Sequence, residues 1–420
     1  MSAKAGFVPV LKALAGNPQI LKVKPSLSLF LLAYMRKFRV ARAGKNLVLH
    51  SHLPPINSDA YARFIDEHLL RRSDGPSHAQ IGLTNACPQR CAYCYNRDRR
   101  GVPMGKNTIL KTIDDLRRLG VFWLGLTGGE PLLNKDIVEI TEKAANRCAV
   151  KLFTTGCALT PGLASDLKNA GLFSVSVSLD DWREDVHDAT RGYPGAFRTA
   201  LEAIETFKEI GGIHVGVSAV LSVEMIRTGR VEPFIDFLEG LGIDEAWLSE
   251  TKPSVQPYWN KDLVITEEER RGLAELQDRR NRKDGLTVNY LAHFEGPEHF
   301  GCNAGHKMVY VDPFGDVSPC VFTPMTFGNV FSTPVGEIWR DMRRAFSPGS
   351  SCFMNKNFDR LQMKTGGTLP LGKADCLSLL RDVDFGSPGS FFRLFYGKSG
   401  RASPPTPRES RESQSQGGEK

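Results

Sequence analysis

At 420 residues the chain is too long for one small core, so a large domain with a smaller companion is the expected organisation. An apolar share of 41% and a charged share of 24% are those of an ordinary globular protein, and no apolar run of about 18 residues is present to span a bilayer. The net charge of +7 sits at the start: residues 1–75 hold 12 Lys or Arg against 4 Asp or Glu, while the remainder carries 42 against 43, which argues against a general nucleic-acid footprint.

Nine cysteines are too sparse for a secreted disulfide scaffold, and clustered thiols point instead to metal. The first sixteen residues, broken by Lys4, Pro9 and Lys12, make a poor secretion signal, so the cytoplasm is the default location. An apolar helix over 26–35 then runs into the basic turn 36–42. It packs along the outside of the body with its arginines in water, or it lies on an anionic membrane surface through Phe30, Leu32, Met35 and those arginines. A second helix over 59–72 ends at the breaker Ser73-Asp74-Gly75-Pro76, taken as a domain boundary.

From residue 77 strands and helices alternate. Strands are expected over 79–84, 121–126, 149–153, 173–180, 213–220 and 245–249, with helices over 109–119, 135–146, 161–170, 196–210 and 231–241. That alternation is the mark of a parallel α/β sheet. In such folds chemistry gathers where strands end at their C-termini.

The first of those ends carries Cys87-Pro88-Gln89-Arg90-Cys91-Ala92-Tyr93-Cys94. Three thiols at this spacing can wrap one corner of a 4Fe–4S cluster, and Cys148 lies too far downstream to be the usual fourth ligand. One iron is then left open, which a catalytic centre needs and a structural one avoids. A structural zinc knuckle is the plainer alternative, but no further Cys or His follows at finger spacing.

This run, with Tyr93 before its last cysteine, resembles the signature of the radical S-adenosylmethionine enzymes. The resemblance implies a partial (β/α)6 barrel in which Cys87, Cys91 and Cys94 hold the reducing cluster and the open iron chelates S-adenosylmethionine. An electron from flavodoxin or ferredoxin would split the sulfonium, and the 5′-deoxyadenosyl radical would abstract hydrogen from the substrate. Carried over by position, Tyr93 stands beside the cluster, and Gly128, Gly129 and Glu130 after the second strand hold the cofactor's amino group. Ser178 and Arg191 would contact its ribose and carboxylate, although Asp181 stands where many relatives have glycine. The plain alternatives are a surface salt bridge for Arg191, an ordinary helix-face histidine at His187, and free thiols at Cys148 and Cys157.

Residues 251–258 read as a loop over the barrel mouth, and 267–281 as a charged helix with no evident catalytic acid or base. Cys302, Gly315 and Cys320, a hairpin over 309–317, Gly328-Asn329-Val330 and a helix with Ile338 and Trp339 follow. Together they resemble the opening half of a SPASM domain, the module that binds auxiliary 4Fe–4S clusters. Only Cys352 and Cys376 remain to complete it, closer to the shortened twitch form with one auxiliary cluster; the plain alternative is a partial site with Cys352 or Cys376 a bystander. The aromatic element 391–396 docks on the body or on a partner, and the tail from Ser399 has the composition of a disordered segment.

The expected organisation is thus a helical extension at 1–76, a partial barrel at 77–255, a linker at 256–300, an auxiliary-cluster domain at 301–380 and a C-terminal element at 381–420. The expected activity is oxidative or bond-forming modification of a peptide or protein, with the auxiliary cluster taking the electron left on the substrate. A lipid-linked or small-molecule substrate near the membrane is a second enzymatic reading. A non-catalytic iron–sulfur carrier or binding module is the reading from a different class.

Overall fold

In the computed structural model, residues 3–4, 15–283, 285–364 and 369–397 are described. The segment expected as a disordered tail lies outside them. Strands β1 (Ala3–Lys4), β2 (Ala41–Ala43) and β3 (Asn46–Val48) form a small antiparallel sheet in the extension. The main sheet begins with β4 (His78–Gly82), β5 (Trp123–Thr127), β6 (Ala149–Thr154), β7 (Leu172–Ser178), β8 (His214–Leu221) and β9 (Glu245–Glu250), each parallel to the next.

These strands are buried on both faces, as parallel sheets covered by helices must be. The covering helices supply the matching stripes. Lys106–Arg118 buries Ile109, Ile113 and Leu116, and Ala196–Ile210 buries Ala196, Ala200, Ala203, Ile204 and Phe207. Thr160 and Ser222 cap the helices that start after them, each accepting from a backbone N–H of the first turn.

The sheet does not close on itself. Beyond β9 it gains β10 (Thr287–Tyr290), parallel to β9, inside a region that the sequence presented only as a loop and a charged helix. At the other edge β11 (Met308–Val311) runs parallel to β4, and β12 (Val317–Ser318) turns back against β11. The C-terminal hairpin is therefore continuous with the barrel sheet, in the order β10-β9-β8-β7-β6-β5-β4-β11-β12.

The extension packs on the body. Helix Pro25–Met35 buries Leu27 and Tyr34, and Phe30 meets Phe300 edge-on with ring centroids 5.8 Å apart. Helix Ser390–Tyr396 buries Phe391, Phe392 and Phe395 against it, so the C-terminal aromatic element docks on the body. Of the three residues expected to face a membrane, Phe30 and Met35 are packed and Leu32 is exposed. The second helix begins as Asp59–Arg63 and continues over Phe64–Leu70 with the wider π hydrogen-bond pattern.

Residues 50–52 seal the foot of the barrel. The His52 ring stacks on Trp123 and Trp247, with centroids 5.0 and 3.6 Å away. Trp123 Nε1 donates to the Ser51 carbonyl at 2.8 Å, Lys151 Nζ donates to Ser51 Oγ at 2.5 Å, and the Ser51 amide donates to Glu245. Lys151 is wholly buried, and burial lowers its ammonium to about 8 although Glu245 opposes that shift.

Candidate active site

The cysteine loop has no regular structure, and its backbone is held from outside. Arg90 donates its amide to the Arg191 carbonyl at 2.8 Å, while Gly129 and Glu130 donate theirs to Thr84 and Ala86 at 2.6 and 2.8 Å. This contact explains the glycine pair. A Cβ on Gly128 would stand 2.4 Å from the Thr84 carbonyl oxygen, and one on Gly129 would stand 2.4 Å from that of Ala86. The positive φ of 133° at Gly128 adds strain for any other residue.

A second set of contacts ties the loop to the C-terminal hairpin. Arg99 donates to Asp312 at 3.1 Å with both side chains buried, and Tyr310 donates to Asn96 Oδ1 at 2.7 Å. Asn96 in turn donates to the Gly128 carbonyl at 2.6 Å. Loop, glycine turn and hairpin are one hydrogen-bonded unit.

At the end of β7, Asp180 is a hub, a residue that the period of two puts on one strand face with Ser176 and Ser178 but to which the sequence alone gave no role. Its carboxylate accepts from Arg191 Nε and Nη2, both at 2.8 Å, from the Val220 amide at 2.9 Å and from the Tyr93 hydroxyl. The Arg191 guanidinium lies 5.7 Å from the Tyr93 ring centre. Burial would raise the Asp180 carboxyl, but Arg191 and His187 hold it below the usual range. Arg191 is thus in a buried pair, with a side-chain exposure of 7%, and is not a surface bridge. His187 is buried as well, its Nδ1 accepting from the Asp180 amide at 3.1 Å. The strand face of Asp180 was legible in the sequence; its partners, 11, 40 and 87 residues away, were not.

Glu130 sits differently from its expected role. It is wholly buried and does not line the cavity. Its oxygens accept from the Leu132 amide at 3.0 Å, Thr154 Oγ1 at 2.7 Å, and the Thr155 amide and hydroxyl at 2.7 and 2.5 Å. With its lone pairs engaged in this way, the side chain fixes the Thr154–Thr155 strand end, and those two threonines face the cavity instead.

The cavity itself measures about 720 Å³. Cys87, Cys91, Cys94, Tyr93, Gly128, Gly129, Ser178 and Arg191 all line it. Cys302, Cys320 and Cys352 line the same space from the C-terminal domain. Cys376 is not with them: its thiol donates to the Leu371 carbonyl at 3.3 Å within the hydrophobic core. The expected set of four auxiliary cysteines is therefore corrected to three that face the cavity. Cys157 also stays outside its lining, and Cys148 donates to the Val121 carbonyl.

Three thiols facing the cavity from each side are the donor type of an iron–sulfur centre. Burial pushes Cys87 and Cys320 up to about 12 and raises Cys91, Cys94, Cys302 and Cys352 as well. Unaided, such thiols stay protonated, and a bound metal supplies the charge that makes them thiolates. A further charged group was not visible in the sequence. Lys252 donates to Glu250 at 2.9 Å, both residues line the cavity, and both are almost fully buried.

Comparison with known proteins agrees with this geometry. Residues 81–226 match the radical SAM superfamily, and residues 302–361 match the SPASM iron–sulfur cluster-binding domain. The chain is a radical S-adenosylmethionine enzyme with a C-terminal SPASM domain. It is 28% identical over 295 residues to the AdoMet-dependent heme synthase of Methanosarcina barkeri, covering 65% of this chain and 84% of that protein. The mycofactocin maturase MftC of Mycolicibacterium smegmatis is 28% identical over 315 residues, covering 70% and 79%. The PqqA peptide cyclase of Granulibacter bethesdensis is 25% identical, covering 61% and 72%. Among solved structures, Streptococcus suis SuiB bound to S-adenosylmethionine shares the fold with a TM-score of 0.54 at 16% identity, covering 70% of this chain and 76% of that one.

Proposed function

We propose that this enzyme modifies a peptide by radical chemistry, within a cavity shared by its two iron–sulfur sites. The observation that carries the reading is that both thiol triads line one space of about 720 Å³. Two of the relatives are named for work on a peptide or as a maturase, which supports a peptide substrate over the lipid-linked and carrier readings.

When bound, the catalytic cluster and S-adenosylmethionine supply a 5′-deoxyadenosyl radical. This chain's residues position and enclose. Cys87, Cys91 and Cys94 would hold the cluster, and Gly128 and Gly129 keep the turn beside it thin. Arg191, oriented by Asp180, presents a cation to the cofactor's carboxylate, and Ser178 offers a hydroxyl to its ribose. Cys302, Cys320 and Cys352 would hold an auxiliary centre within the same cavity, where it can take the electron left by an oxidation. The reductant is a flavodoxin or ferredoxin. Anaerobic protein reconstituted with iron and sulfide, then given dithionite and S-adenosylmethionine, should release 5′-deoxyadenosine. Peptides encoded beside the gene should show a mass change under the same conditions. Release of 5′-deoxyadenosine without any such change would remove the peptide reading.

A second reading concerns location, and exposed leucines favour it. Among the described residues no helix is long and apolar enough to cross a membrane. Yet Leu21, Leu29 and Leu32 are 86%, 68% and 52% exposed, with Lys22, Lys24 and Arg36 exposed around them. This face suits peripheral contact with an anionic bilayer, worth about 1 kcal/mol per basic residue at the surface. Full-length protein should pellet with phosphatidylserine vesicles and release in salt. Failure to pellet at low salt would leave the helix as packing alone.

A further inference from the structure

The auxiliary half of the cavity contains a carboxylate that the reading above does not use. Glu295 follows the short helix Leu291–Phe294 at the end of β10 and lines the same cavity as Cys302, Cys320 and Cys352. It acts electrostatically on all three thiols. Its Oε2 is buried and makes no hydrogen bond among the described residues. The nearest cation, Lys252 Nζ, stands 3.6 Å from that oxygen and gives its hydrogen bond to Glu250 instead.

A buried carboxylate oxygen with no donor before it is costly unless a cation faces it. A closed cubane, one that leaves no iron open to a cofactor, takes a protein ligand on each of its four irons. Three thiols face the cavity here, and the fourth cysteine points into the core, engaged with the Leu371 carbonyl. The shortage of one ligand and the surplus of one oxygen occur in the same place. We propose that Glu295 supplies the fourth, oxygen ligand of the auxiliary cluster beside Cys302, Cys320 and Cys352, and that Cys376 is a core thiol. This rests on the iron–sulfur reading of that site. Lys252, held between Glu250 and Glu295 and acting on Cys352, offsets the negative charge gathered there.

The test uses full-length protein carrying Cys87→Ala, Cys91→Ala and Cys94→Ala, reconstituted anaerobically so that only the auxiliary site can hold iron. Into this parent, Cys376→Ala, Glu295→Gln and Cys352→Ala are introduced separately, and circular dichroism checks the fold of each. The Cys376→Ala protein should keep about four irons and the parent's reduced EPR spectrum. Cys376→Ser, which retains a donor for the Leu371 carbonyl, replaces it if the alanine variant does not fold. The Cys352→Ala protein should lose the cluster. The Glu295→Gln protein should keep most of its iron, change its EPR spectrum and bind imidazole labelled with nitrogen-15, seen as a new hyperfine coupling. The parent and Glu295→Asp should show no such coupling. A folded Cys376 variant that loses its cluster overturns the proposal. So does a Glu295→Gln spectrum and imidazole response identical to the parent's, or a parent that itself takes up imidazole. If the Cys352→Ala protein keeps its iron, the auxiliary-cluster reading fails, a result separate from these.

Discussion

Asp180 is the residue whose replacement tests the site most directly. Asp180→Asn keeps the side-chain shape but removes the charge that faces Arg191 at two contacts of 2.8 Å. Both partners are buried, with side-chain exposures of 4% and 7%, so water does not replace the lost partner. Breaking a buried pair by removing one member costs about 3–5 kcal/mol. Asparagine can still accept one hydrogen bond, from Val220 or Tyr93, which places the expected loss near the lower end, about 3 kcal/mol. At about 2.1 cal/mol/K per residue the unfolding entropy of a 420-residue chain is about 0.9 kcal/mol/K, so the melting temperature should fall by about 3 °C. A double variant, Asp180→Asn with Arg191→Gln, should recover part of that loss, since no buried charge is then left alone. Neither variant should cleave S-adenosylmethionine at more than a few per cent of the native rate, because both lose the oriented cation. Thermal melts of iron-loaded protein by circular dichroism, with 5′-deoxyadenosine measured by chromatography, read both effects. A single variant melting within about 1 °C of native would refute the energetic argument. A stable double variant with native cleavage would refute the role of Arg191.

Three further outcomes are expected. Native protein should hold about eight irons, and the Cys87, Cys91, Cys94 triple alanine variant should keep about half of them and lose all cofactor cleavage. Cys320→Ala should still release 5′-deoxyadenosine but form little modified peptide; a folded variant making product at the native rate would leave the auxiliary centre structural. Stability should fall as pH drops below 6.5. Burial lowers His50 and His78 to about 4 and His68 and His299 to about 3, so the unfolded chain takes up protons that the folded one refuses. At pH 5 each ring costs about 2 kcal/mol, from 1.5 pH units at about 1.36 kcal/mol each. A urea midpoint that is flat between pH 7 and pH 5 would contradict this.

The alternation of strand and helix was legible because parallel strands buried on both faces are long apolar runs between amphipathic helices, and all six barrel strands lie within a few residues of their expected places. Cys87, Cys91 and Cys94 were legible because their spacing is local. What was hidden depends on contacts between distant parts of the chain. Thr287–Tyr290 is only four residues long and gains its strand character from β9. Cys376 has the same chemistry as Cys352, and only the packing around Leu371 separates core thiol from cavity thiol. Glu130 was assigned to a ligand by its place after two glycines, yet Thr154 and Thr155, more than twenty residues later, claim its oxygens. A Cβ on either glycine would meet a backbone oxygen leading into the cysteine loop at 2.4 Å, a constraint that no local pattern carries.

The seal at the foot of the barrel decides how a substrate can be handled. With His52 clamped between two tryptophans and lining the cavity, and His50 and Ser51 fully buried beside it, side chains fill the foot of the barrel. A polypeptide cannot be threaded along the barrel axis past that plug. It has to present a terminus, a side chain or a tight loop at the mouth, and withdraw by the same route. The cysteine loop stands at the opposite, C-terminal end of the strands, so a reactive species made there meets whatever part of the substrate reaches in between mouth and plug.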